Sequence, residues 1–370
     1  MSKSRKKGEG NIYFDDARKK WRGVIKTHGR RKYFSAKTSE EVVEKMVEFR
    51  VAKKSGIDVT KTSTISELST KFFKIKSVEG ITAKTLDGYK TKYYNYIDGY
   101  IGHIKVTELS RSRVIDLRVQ LQEDGHTNNS INKAIKVLTA VMEHGIEENI
   151  IVINPSVFKK KLPHTKKKMR SLTPDEINSF LSHAKDDKMY ALFYLLLNSG
   201  IRLGEALAIQ WEDINWETDE LSINKSYDAK YGLGKTKTEN SERVIKLNGS
   251  TMQVLQQHHS AQLEQQTQLP KHWNNKGIVF ATDIGTHFNR SNIFNRHFSK
   301  ICKSGEITDF RLHDLRHTFA SISLSNGVPV VDVSHYLGHA DTGVTLETYT
   351  HYVPKPESNT AGAIESVINI

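Results

Sequence analysis

Cysteine is all but missing from this 370-residue chain, Cys302 being the single one, so no internal disulfide framework can hold the fold. Proline is scarce at 7 residues. No apolar run approaches the roughly 20 residues that span a bilayer. A disulfide-stapled miniprotein and a helical membrane protein are thereby excluded. The basic opening MSKSRKKGEG leads into no apolar stretch, so we expect no secretory signal and a cytoplasmic setting. What is present is a globular composition: 37% hydrophobic residues, 26% charged residues and 4 Trp, 14 Tyr and 14 Phe. At about 150 residues per domain, the length predicts two or three domains.

The net charge is +13, and it is unevenly spread. Residues 1–58 hold 17 Lys and Arg against 8 Asp and Glu, a net of +9. A second basic run, Lys159, Lys160, Lys161, Lys166, Lys167, Lys168 and Arg170, contains no acid and surrounds Pro163. It reads as an extended linker over 159–170. One such run is as easily a solvated, self-repelling stretch as a binding surface. Two runs flanking a folded segment favour a nucleic-acid partner, because Lys and Arg on phosphates release condensed counterions.

Three pieces follow along the chain. In residues 1–58, short aromatic and β-branched runs (Asn11 to Phe14, Trp21 to Ile25, Lys32 to Phe34) are separated by turn signals, and predict a three-stranded sheet. Thr38-Ser39-Glu40-Glu41 then starts a helix. Arg18, Lys19, Lys20, Arg22, Lys26, Arg30, Arg31 and Lys32 crowd this sheet, which suits a DNA groove better than a plain solvated face. Residues 61–160 carry apolar residues at three and four spacing in Ile65 to Lys76, Thr82 to Tyr96, Ser110 to Gln122 and Thr127 to Glu147, and so predict a helical bundle. After the linker, Thr173-Pro174-Asp175-Glu176 is a strong helix start. Arg202 and Glu205 lie three apart, so the carboxylate can hold the guanidinium. Strand-like Glu220 to Lys225, then Lys235 to Thr238, then Arg243 to Leu247 suggest a hairpin with lysines near its tip.

Five elements in order, Gly200-Ile-Arg202-Leu-Gly-Glu205, the Lys-bearing hairpin, His313-Asp314-Leu-Arg316-His317, Leu337-Gly338-His339 and Tyr349, resemble the signature of the tyrosine recombinases. The resemblance covers residues 171–353 as the catalytic domain. Residues 61–160 resemble the core-binding domain of that family, and residues 1–58 the arm-binding domain of phage and conjugative-transposon integrases. The implied fold is multidomain and mainly α: a small N-terminal sheet plus helix, a helical bundle, and a mostly-α catalytic domain with a small β-sheet. The tail, 354–370, is expected to dock between protomers as in the family.

The residue types fit that chemistry. A tyrosine phenolate can hold a DNA phosphate covalently and leave it activated for return attack, the role expected of Tyr349, with Tyr352 as the rival. Arg202 and Arg316 can each fork onto nonbridging oxygens and stabilise the charge growing on phosphorus. His339 can add a further hydrogen bond, and Glu205 and Asp314 can support the cations. The resemblance gives His313 the handling of the tyrosine's proton. Its spacing gives Lys237 the protonation of the leaving 5′-oxygen, with Lys235 as the competitor. No metal, ATP or other cofactor is implied. The expected partners are double-stranded DNA with core-type and arm-type sites, a homotetramer on that DNA, a directionality factor and a DNA-bending protein, and no membrane.

Three other readings stand beside this one. His313 and His317, four apart, match a zinc-hydrolase helix, but Asp stands where the general-base Glu belongs and no third ligand is evident. A type IB topoisomerase would share the phosphotyrosine step. A DNA-binding regulator without catalysis would keep the fold but not need the six catalytic residues.

Overall fold

Alternate residues build the first sheet. In this computed structural model, which describes residues 11–27, 30–54, 63–164, 169–235, 242–268, 273–274 and 276–352, strands β1 (Asn11–Asp15), β2 (Lys20–Thr27) and β3 (Arg30–Ala36) pair antiparallel in the order β1-β2-β3. The register pairs Ile12 with Gly23, Gly23 with Phe34 and Trp21 with Ala36, so Ile12, Trp21, Ile25, Phe34 and Ala36 share one face. Helix α1 (Ser39–Lys54) covers that face with Val42, Met46 and Phe49. Gly23 is required there, because a Cβ would sit 2.3 Å from Met46 Sδ.

The chain divides into two compact units, residues 1–166 and 167–370. Within the first, α2 (Ile65–Val78), α3 (Ala83–Tyr93), the one-turn α4 (Gly99–Ile101), α5 (Arg111–Glu123) and α6 (Asn128–Glu147) share an apolar core of their own. Thr64 caps α2 reciprocally with Glu67, and Thr82, Ser110 and Thr127 cap α3, α5 and α6. The helix expected from Thr82 to Tyr96 is shorter than its periodicity suggests. It passes at Tyr94 into a π-helical turn, Tyr94–Asp98, with Tyr93, Ile97 and Ile101 still buried. The wider turn carries Asp98 to Ser66, whose Oγ donates to it at 2.5 Å.

The segment leading into the basic linker and the linker's first residues are held by side chains of the bundle. Arg111 Nη1 donates to the Val157 carbonyl at 2.8 Å, Asn132 makes two hydrogen bonds with Leu162, and Asn128 donates to the Pro163 carbonyl at 2.7 Å. The guanidiniums of Arg111 and Arg118 lie 4.5 and 4.3 Å from the Phe158 ring centre. Side chains of α5 and α6 thus satisfy the backbone up to Pro163, which a run of lysines could not reveal. Lys159, Lys160 and Lys161 remain exposed. Lys166, Lys167 and Lys168 lie outside the described residues.

The second unit is built around buried aromatic residues, among them Phe180, Phe193, Phe280 and Phe298. Its helices are α7 (Pro174–Ala184), α8 (Tyr190–Ser199), α9 (Leu203–Ala206), α10 (Gly249–Gln268), α11 (Arg290–Asn292), α12 (Ser299–Ser304), α13 (Asp314–Ser325), α14 (Val330–Leu337) and α15 (Thr342–Tyr349). Strands β4 (Ile214–Asn215), β5 (Glu220–Ile223) and β8 (Arg243–Lys246) form one sheet, and β6 (Lys225–Asp228) with β7 (Gly232–Lys235) a separate two-stranded one. The expected hairpin is therefore different. The Arg243 strand pairs with β5, where Ile245 lies opposite Leu221 and Arg243 opposite Ile223, while Lys235 sits at the base of the β6–β7 pair opposite Lys225.

Candidate active site

Two left-handed glycines set the geometry. Gly200, at φ 65°, ends α8 and turns the chain into Arg202 at the start of α9. Gly338, at φ 61°, ends α14 and turns it into His339. A side chain at either position would be strained by φ and by space, since a Cβ would lie 2.3 Å from Phe319 or 2.6 Å from Arg243 Nη1 respectively.

Around these turns the cations assemble on one carboxylate. Arg202 donates from its backbone N–H to Glu205 Oε2 at 2.9 Å and from Nη1 to Oε1 at 2.8 Å, while Nη2 reaches the Gly338 carbonyl at 3.3 Å. Its guanidinium keeps a face in solvent, with 40% of the side chain exposed against 4% for Glu205. Arg243 is wholly buried; Nη2 donates to Glu205 Oε2 at 2.9 Å and Nε to the Tyr336 carbonyl at 3.0 Å. Burial would push the Glu205 carboxyl up, but the Arg243 and Arg202 charges outweigh it and hold it below the usual carboxylate range. Arg243 was not singled out from the sequence. The signal available was a charge at an inward position of a strand whose neighbours alternate.

Arg316 lies in the first turn of α13, and its Nη1 donates to the Gly200 carbonyl at 2.8 Å. Burial and the nearby Arg202 charge lower it to about 9, which still leaves it protonated at neutral pH. His313 stands at the N-cap of that helix and His339 follows Gly338. Burial drops each to about 4, helped for His313 by His317 and Arg316 and for His339 by Arg316 and Arg202. Both rings are neutral at pH 7, although His313 keeps an exposed edge. His339 Nδ1 shares a 2.7 Å hydrogen bond with Thr345 Oγ1 of α15. Asp314 is fully buried and spent on Arg311, which grips it through Nε at 2.9 Å and Nη2 at 2.7 Å.

Tyr349 ends α15 and is 2% exposed, packed with Ala320, Leu324, Val333 and Leu337. Burial pushes its phenol up to about 12, against the pull of Arg316. Its hydroxyl is hydrogen-bonded to Nδ1 of His317, a residue that stands in the signature of the sequence without a role assigned to it there. Tyr352, by contrast, places its hydroxyl 3.2 Å from Ser171 Oγ. Lys237 lies outside the described residues, as does the tail 354–370. Among the described residues no group of three or more His, Cys, Asp and Glu could hold a metal.

The basic residues of the first sheet divide by register. Lys20, Arg22, Lys26 and Arg31 share the face opposite α1 with Tyr13 and Tyr33, whereas Arg30 and Lys32 fall on the alternate positions with Ile25 and Phe34. Arg22 is held by Asp15 at 3.3 Å and lies 5.3 Å from the Tyr33 ring centre. Arg18 and Lys19 occupy the β1–β2 turn, Lys19 at φ 49°. No helix among the described residues is long and apolar enough to cross a membrane.

Comparison with known proteins gives a consistent result. The family described as the phage integrase family matches residues 170–355. The ICEBs1 integrase of Bacillus subtilis is 28% identical over 74% of this chain and 75% of its own length. A XerC-like tyrosine recombinase of Caldanaerobacter subterraneus is 27% identical over 89% of this chain and 90% of its own. In fold, the chain is similar to the Tn1549 transposon integrase in complex with a circular intermediate DNA, at TM-score 0.68 and 20% identity over 83% of this chain and 100% of that one. It is also similar to a lambda integrase tetramer bound to a Holliday junction, at TM-score 0.62 and 15% identity over 96% and 99%.

Proposed function

Because the chain belongs to the phage integrase family and is a tyrosine recombinase, we propose that it integrates and excises a mobile element, with Tyr349 as the nucleophile. Tyr349 Oη attacks the scissile phosphorus, forming a 3′-phosphotyrosyl bond as the bond to the 5′-oxygen breaks. Arg202 and Arg316 bind the nonbridging oxygens and stabilise the charge that grows there, and His339 adds a hydrogen bond. His313 handles the phenolic proton, and Lys237 gives a proton to the leaving 5′-oxygen. That hydroxyl then attacks the 3′-phosphotyrosyl phosphorus of the partner duplex, releasing the tyrosine bound there, and repetition on the second strand pair resolves a Holliday junction. Two duplexes cut twice need four tyrosines, hence a homotetramer on DNA, with the tail 354–370 docking between protomers. Residues 1–58 take arm-type sites. Residues 61–160 and 171–353 take the core site, with the lysines of 159–170 on its phosphates. A directionality factor and a DNA-bending protein choose between integration and excision, on DNA in the cytoplasm.

The observation that supports this reading best is the convergence of Arg202, Arg316 and His339 through the two glycine turns, with Arg316 close enough to Tyr349 to pull on its phenol. A nicked suicide duplex tests it. Tyr349→Phe abolishes the covalent protein–DNA adduct and leaves duplex binding within about twofold, as loss of one hydroxyl outside the binding contacts requires. An adduct that survives in Tyr349→Phe, or vanishes instead in Tyr352→Phe, sinks the assignment.

A further inference from the structure

One polar contact of Tyr349 has no part in that mechanism. Among the described residues, the hydrogen-bond partner of its hydroxyl is His317 Nδ1. His317 follows Arg316 in the first turn of α13 and is buried, with the edge of the His313 ring against it at a centre distance of 4.9 Å. The Tyr349 and His317 ring centres lie 5.7 Å apart. A phenol has a single proton, and burial keeps Tyr349 protonated at neutral pH. With no other acceptor hydrogen-bonded to that oxygen among the described residues, the proton points to Nδ1, and His317 carries its own proton on Nε2. The imidazole is held neutral, as an acceptor must be: burial lowers its pKa, Asp314 opposes this, and the charges of Arg316 and Arg311 add to the lowering.

We propose that His317 is a positioning residue for the nucleophile. By accepting the only proton on Tyr349 Oη it fixes the rotation of the hydroxyl, so that the oxygen's lone pairs are presented away from the imidazole, toward the phosphate gripped by Arg202 and Arg316. A freely rotating phenol would spend much of its time with the proton in the path of attack. The contact belongs to the ground state and is given up when the proton passes to His313 as Oη attacks, so it acts on the rate of the chemical step and not on DNA affinity. The inference rests on Tyr349 being the nucleophile.

The test compares His317→Asn with His317→Leu. Asn carries an acceptor oxygen on Cγ, where His carries Nδ1, whereas Leu fills the space and accepts nothing. Adduct formation on a suicide duplex, measured at saturating protein, falls about tenfold or more in His317→Leu and recovers to within about threefold of the unmutated chain in His317→Asn, on the scale of one net hydrogen bond. The Kd for the same duplex stays unchanged in both. Leu as fast as the unmutated chain, Asn no faster than Leu, or a Kd that rises in step with the lost rate each overturns the proposal. If the Leu variant does not fold, Asn against Gln carries the same comparison, because Gln sets its acceptor one bond farther out. Tyr349→Phe run alongside separates the two claims. An adduct in that variant removes the nucleophile itself, while no adduct there together with an undiminished His317→Leu removes only the positioning role.

Discussion

At the scale of the residue, the site depends on a buried charge balance. Glu205 serves two arginines at once, the half-exposed Arg202 and the wholly buried Arg243. Removing one partner of such a pair leaves the other charged and unpaired in a low-dielectric interior. Arg243→Met is therefore expected to cost about 3 kcal/mol or more in denaturant unfolding of the catalytic unit. Adding Glu205→Leu should return much of that stability, because an apolar pair replaces a buried ion pair at little cost. Cleavage should not return, since Arg202 then has no carboxylate to hold it. Recovery of both stability and cleavage in the double variant would show that the network stabilises the fold without orienting Arg202. The sequence indicated Arg202 and Glu205 through their spacing, but Arg243 reaches Glu205, 38 residues away in sequence, only because its strand pairs with β5. Nothing local to Arg243 announces its partner.

At the scale of the element, the helices with a capping box were legible. Thr64 with Glu67 and Thr173 with Glu176 mark the starts of α2 and α7 where the sequence placed them. The strands were harder. β8 pairs with β5 because Leu221 and Ile245 need each other's cover, a long-range match that neither segment displays alone. The linker hid its contacts for the same reason, its backbone being held by Asn132 and Asn128 from a helix 30 residues or more upstream. The two left-handed glycine turns carry a prediction at this scale. Gly338→Ala must accept both an unfavourable φ and a Cβ 2.6 Å from Arg243, so it should destabilise by more than the ~1 kcal/mol typical of a glycine site with open space. It should also slow adduct formation, because His339 and the carbonyl that meets Arg202 both sit on this turn. Thermal unfolding and a single-turnover cleavage assay read the two effects. An Ala variant as stable and as fast as the parent would mean that the turn does not hold the site.

At the scale of the whole molecule, the excess charge lies where a second class of DNA site would need it. Residues 1–58 account for +9 of the net +13, and the sheet register separates a face carrying Lys20, Arg22, Lys26 and Arg31 from an α1-facing one. Deleting residues 1–58 is expected to abolish binding to arm-type duplexes and to spare cleavage of a core suicide duplex. Within the module, Arg31→Ala should weaken arm binding and reduce the slope of log K against log salt by about 0.9, the share of one phosphate contact, whereas Lys32→Ala, on the alternate position, should change neither. Equal losses in the two variants, or competition between short arm and core duplexes for one site, would replace the two-site integrase by a simpler recombinase. The claim on which everything else depends is the chemistry at Tyr349. It is tested most directly by trapping the unmutated protein on a suicide duplex, digesting it, and identifying by mass spectrometry which residue carries the DNA and through which end. The account predicts a 3′-phosphoryl linkage to Tyr349. A linkage to Tyr352 or Tyr336, attachment through the 5′-phosphate, or cleavage with no covalent intermediate would contradict it.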